Sequence, residues 1–130
     1  MVAELDNIFD SLKNGDLSTF DAIKAMATAL LDDPDVGLVL EIMAESSRNP
    51  AVAERLTSLT TFYREGIRRL AMFAKPDSSP AELDAYVNVM LACFIGLYYR
   101  PLIGTANEEI SHNVACLMMR ALGLPDQQLV

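Results

Sequence analysis

The sequence predicts an all-α fold, an antiparallel bundle of about six helices, and three observations predict it. Apolar residues recur at helical spacing in every segment, while no stretch sustains period-two alternation. Asp33-Pro34, Asn49-Pro50 and Ser79-Pro80 each set a capping side chain directly before a proline suited to the first helical turn. A chain of 130 residues with 52% hydrophobic and 22% charged residues has the length and composition of a single folded domain, residues 1–130, neither disordered nor membrane-embedded.

The elements follow in order. Residues 3–13 place Leu5, Ile8, Phe9 and Leu12 on one face, and Asn14-Gly15 supplies the stop. A second helix over 18–32, capped by Ser18 or Asp16, carries Phe20, Ile23, Ala27, Leu30 and Leu31 inward, with Asp21 and Lys24 outward. The segment from Pro34 to about Ser47 is apolar nearly all round, Glu41 and Glu45 drawing one polar stripe, which predicts a helix inside the bundle. The longest helix, Pro50 to about Ala74, has Val52, Leu56, Leu59, Tyr63, Ile67, Leu70 and Ala74 at helical spacing, with Arg55, Arg64, Arg68 and Arg69 largely elsewhere. Glu65 and Arg69 form an i,i+4 surface pair worth about 0.2–0.5 kcal/mol.

Residues 75–79 read as a loop. Ser79 to Glu82 then spells a capping box, with Glu82 placed to reach back to the Ser79 amide, and a helix follows to about Tyr99. Its run from Ala85 to Tyr99 comes nearest to a membrane span, but at about 15 residues, interrupted by Asn88, it falls short of the ~20 required and reads as a helix buried on several sides. A turn over 100–104 leads to a second capping box, Thr105 to Glu108. The last helix, about Asn107 to Leu122, carries Ile110, Val114, Leu117, Met118 and Ala121 as one stripe and ends at Gly123 and Pro125.

Ten Lys plus Arg against 18 Asp plus Glu give a formal charge of −8, a sign that repels the phosphate backbone, and no basic run offsets it. Cys93 and Cys116 fit no disulfide framework or zinc spacing and read as reduced, buried thiols. With no cationic start and apolar core at the N-terminus, the expected location is the cytoplasm. His112 is the sole histidine, and no nucleophile elbow, phosphate loop or His-Glu-x-x-His motif accompanies it, so neither an enzyme nor a cofactor is expected. Glu108, His112 and Cys116 follow i, i+4, i+8 spacing, but successive steps drift around a helix and no fourth ligand stands near in sequence. The expected roles are a first-turn dipole partner, an interface residue and packing.

The chemistry on offer is therefore apolar. Seven methionines with Phe20, Phe62, Phe94 and four tyrosines furnish an adaptable interior, and bundles place small ligands between their helices. Asn88 and Tyr98 put polar atoms inside apolar runs, where a buried polar atom requires a partner that a ligand can supply.

Residues 38–56, LVLEIMAESSRNPAVAERL, resemble the part of TetR-family effector domains in which a helix ends at an Arg-Asn-Pro turn and a long helix begins. Residues 79–104, SPAELDAYVNVMLACFIGLYYRPLIG, are similar to that family's penultimate helix, and 107–124 to its final one. The shared features are helix lengths, caps and small residues, spanning nearly the whole chain. The resemblance implies a homodimer built on a four-helix interface from residues 80–123, an inducer pocket among the preceding helices, and residues 1–14 as the end of a linker helix. The family's helix-turn-helix normally precedes this region, so DNA is expected to be reached only through that absent domain. The chain then reads as a piece of a longer protein or as a stand-alone relative. Dimerisation also has a physical reason: helix 80–99 is apolar on more faces than one core uses, and Ala92 with Gly96 permits close helix approach.

The expected function is a domain that binds a small, largely apolar effector and dimerises. The alternative is a stand-alone helical protein that sequesters a full-length regulator by heterodimerisation. Expected ligand-binding residues are Met26, Leu30, Met43, Phe62, Tyr63, Asn88, Phe94 and Tyr98; expected interface residues are Tyr86, Met90, Leu97, Ile110, Val114, Leu117 and Met118.

Overall fold

The structure is a computed structural model that describes residues 2–32, 35–99, 108–125 and 127–129. Among these residues it is an all-α helical bundle with no strand: α1 (Val2–Lys13), α2 (Thr19–Leu31), α3 (Val36–Ser46), α4 (Pro50–Ala74), α5 (Pro80–Tyr98) and α6 (Glu108–Ala121).

Local chemistry sets the boundaries. Ser18 Oγ accepts the Asp21 amide at 3.1 Å, Asn49 Oδ1 that of Ala51 at 3.1 Å and Ser79 Oγ that of Glu82 at 3.2 Å, each satisfying a donor that the first helical turn leaves open. At Ser79 the reciprocal half of the box differs from the expectation: the Ser79 hydroxyl donates to Glu82 Oε1 at 3.1 Å. Two helices end in Schellman turns at glycines with positive φ, Gly15 at 80° and Gly123 at 69°. There the Asp16 amide reaches Ser11 O at 2.8 Å and the Leu124 amide reaches Met119 O at 2.9 Å. Pro34 and residues 105–107 lie outside the described residues; α3 begins at Val36.

α2 is the hub, packing on α1, α5 and α6 and touching α4. Its small and branched residues allow this, since Ala22, Ile23 and Ala27 are wholly buried and Phe20, Met26, Leu30 and Leu31 nearly so. Burying one such large side chain contributes about 1.5–3 kcal/mol. Leu5, Phe9 and Leu12 of α1 close the core on one side and Ala115, Cys116, Met118 and Met119 of α6 on another. Lys24 and Glu108 join α2 to α6 at 3.2 Å. Glu65 and Arg69 pair on the surface at 3.8 Å.

Four expectations are corrected. α3 does not sit inside the bundle: Leu38 is 55% exposed and Leu40, Ile42 and Met43 are 40–43% exposed, because α3 packs chiefly on α4, where no residue before Gly66 is buried. α5 is long and apolar enough, by length and composition, to cross a membrane, yet it is not buried on several sides. One arc, Leu83, Val87, Met90, Phe94 and Tyr98, enters the core, while Val89 and Ile95 are exposed. Asn88 is exposed, since one residue past Val87 the helix has turned about 100° and left the buried arc. Cys93 is exposed for the same reason, whereas Cys116 is buried as expected.

Candidate functional site

Two apolar features flank α5. The first is a half-open cavity of about 150 Å³ lined from α1, α2, α3, α4 and α5. α2 supplies Met26 and Leu30, one turn apart. α4 supplies Leu56, Leu59, Thr60, Tyr63 and Ile67, and α5 supplies Leu91, Phe94, Ile95 and Tyr98; Leu5 and Val39 complete the wall. The α4 and α5 sets each follow i, i+3, i+4, i+7 spacing, so two continuous helical stripes face one another.

Met26, Leu30, Tyr63, Phe94 and Tyr98 are thus brought together as expected of pocket residues, and three others are not. Asn88 faces solvent. Phe62, half-buried, meets Tyr63 edge to face at 5.6 Å but does not line the cavity. Met43, 43% exposed, accepts the Tyr99 hydroxyl at its Sδ at 2.8 Å, tying α3 to the end of α5 outside the cavity. Reading residue by residue missed Leu91, Ile95, Leu56 and Leu59. The signal for them was the stripe itself, because once Phe94 and Tyr98 are chosen, Leu91 and Ile95 complete the same face.

The second feature is a groove between α5 and α6 on the other side of α5. It is lined by Tyr86, Met90, Leu97, Val114, Leu117 and Met118, six of the residues expected at an interface, and by Ala85, Val89, Cys93, Gly96, Ala121 and Leu122. Ile110, half-buried, stands outside it. Val89 is 57% and Leu117 54% exposed, and nothing within 4 Å would meet a Cβ placed on Gly96, so the floor of the groove is open. Met90 and Met118 are nearly buried and belong to the core as much as to the groove.

The i, i+4, i+8 set on α6 separates. Glu108 turns to Lys24, while His112 Nε2 lies 2.8 Å from Gln128 O and its ring meets Phe20 edge to face at 5.5 Å. His112 is therefore engaged within the chain by both contacts. Cys116 Sγ approaches the same Gln128 carbonyl at 3.8 Å. Among the described residues no three His, Cys, Asp or Glu side chains are grouped to hold a metal ion, and no buried side-chain polar atom lacks a partner. Comparison with models of protein families, with curated proteins and with solved structures finds no match to this chain.

Proposed function

We propose that this chain is an effector-sensing and dimerising domain of a TetR-like transcriptional regulator, which holds a small, largely apolar molecule and pairs with a second copy of itself. Its role is binding and assembly, not catalysis, and DNA is contacted by another domain, in keeping with a formal charge of −8. The observation that supports this reading is the double duty of α5. Leu91, Phe94, Ile95 and Tyr98 wall the cavity, while Val89, Cys93, Gly96 and Leu97 of the same helix floor an open apolar groove. Contiguous exposed apolar surface of this kind marks an interaction site. A molecule that fits the cavity in only one setting of α5 favours the dimer geometry belonging to that setting, which is a population shift.

Sedimentation velocity at micromolar concentration tests the assembly half. The expected species is a dimer that Val89→Asp and Leu117→Glu convert to a monomer with unchanged helical circular dichroism, since both positions are exposed and outside the core. A wild-type chain that is monomeric throughout this range overturns the proposal.

A further inference from the structure

Building on the reading of the cavity as an effector site, we infer that it takes an uncharged, compact hydrocarbon-like molecule about the size of a single six-membered ring, and that it refuses charged molecules of the same shape. Size comes from the volume. The cavity holds about 150 Å³, the volume at which an apolar site admits benzene or xenon, whereas drug-sized ligands need roughly 300–1,000 Å³.

Charge preference comes from the wall. Thr60, Tyr63 and Tyr98 are the lining residues with polar side-chain atoms, and no lining residue carries a carboxylate, ammonium, guanidinium or imidazole. The Thr60 hydroxyl already donates to Leu56 O at 2.9 Å, so its proton is committed to its own helix. A carboxylate or ammonium entering here loses its hydration without gaining a counter-charge, which raises the cost steeply. A neutral ring loses little and gains dispersion contacts with Met26, Leu30 and Phe94 on the buried side. The opening lies on the outer side, where Ile95 is 48% exposed and Leu56 and Leu59 are half-buried.

Titration of the full chain with benzene, toluene, benzoate, benzylammonium and naphthalene, followed by methyl NMR and thermal unfolding, tests this. Benzene and toluene are expected to saturate, to shift the methyl signals of Met26, Leu30 and Leu91, and to raise Tm by about 4–8 °C at ten times Kd. Benzoate and benzylammonium are expected to bind at least about 100-fold more weakly than toluene, and naphthalene not to saturate. Leu59→Phe, at a half-buried position on the outer part of α4, is expected to lower benzene affinity at least tenfold. The xenon NMR shift of the wild-type chain gives a readout that needs no variant. Benzoate binding within tenfold of toluene, absence of saturable benzene and xenon binding, or methyl shifts centred on Val89 and Leu117 overturns the inference. Sedimentation on the same samples separates the two readings: a dimer indifferent to benzene removes the ligand class alone, and a monomer that binds benzene removes the regulator reading while keeping the ligand class.

Discussion

The ring of Phe9 on α1 occupies the space where a Cβ on Gly66 of α4 would stand. Phe9 is 7% exposed and α1 packs on α4, so the ring would have to shift within the core. Gly66→Ala should therefore destabilise the fold by about 1–3 kcal/mol through overpacking, outweighing the roughly 1 kcal/mol that alanine gains over glycine in a helix. Urea unfolding measures it. Adding Phe9→Leu should recover part of the loss, giving a coupling above about 0.5 kcal/mol in the double-mutant cycle.

Ile23 sits wholly buried in the middle of α2, which packs on α1, α5 and α6 and touches α4. Ile23→Ala is expected to cost about 2–5 kcal/mol, because the removed atoms leave a void that several helices would have to close together. A loss of unfolding free energy in urea of less than about 1 kcal/mol would show that the helices around α2 close the void.

Ser79 joins the α4–α5 loop to α5 through its hydroxyl, which holds the Glu82 amide and carboxylate at once. Ser79→Ala should lower stability by about 1 kcal/mol, within the 0.5–2 kcal/mol range of lost N-caps. Ser79→Asp should restore most of it, since a carboxylate at this position accepts the same amide. Thermal unfolding of the pair distinguishes capping from a general effect of altering the loop.

Cys93 is exposed in the groove and Cys116 is buried in the core, so a thiol reagent should label Cys93 first and reach Cys116 more than about tenfold more slowly, only as the fold opens. If the groove is the dimer face, Cys93 labelling should also slow as protein concentration rises, while Cys116 labelling does not respond. A Cys93 rate independent of concentration across the dimerisation range would place the interface elsewhere.

Side chains that act locally were legible in the sequence. Asn49-Pro50 and Ser79-Pro80 mark the starts of α4 and α5 to the residue, and Gly15 and Gly123 mark the ends of α1 and α6, because caps and left-handed glycines depend on a few neighbouring atoms. The faces of α3 and α5 were less legible. Periodicity separates apolar from polar arcs, and where Leu38, Leu40, Ile42 and Met43 make a helix apolar all round it cannot say which arc meets the core and which stays bare. Asn88 inside an apolar run and Cys93 as a small apolar thiol both read as buried, whereas their neighbours in space are decided by the angle around α5. Five of the eight residues expected at a pocket line one cavity and six of the seven expected at an interface line one groove.

The placement of α5 between cavity and groove leaves its middle with almost no freedom to drift. From Val89 to Leu97 each residue lines one feature or the other except Ala92. If the cavity holds an effector and the groove pairs two copies, selection on effector shape and on pairing acts on adjacent positions of one helix, so a change favourable to one is tested at once against the other. In a deep mutational scan this stretch should tolerate polar replacements least, with Ala92 as its single permissive site.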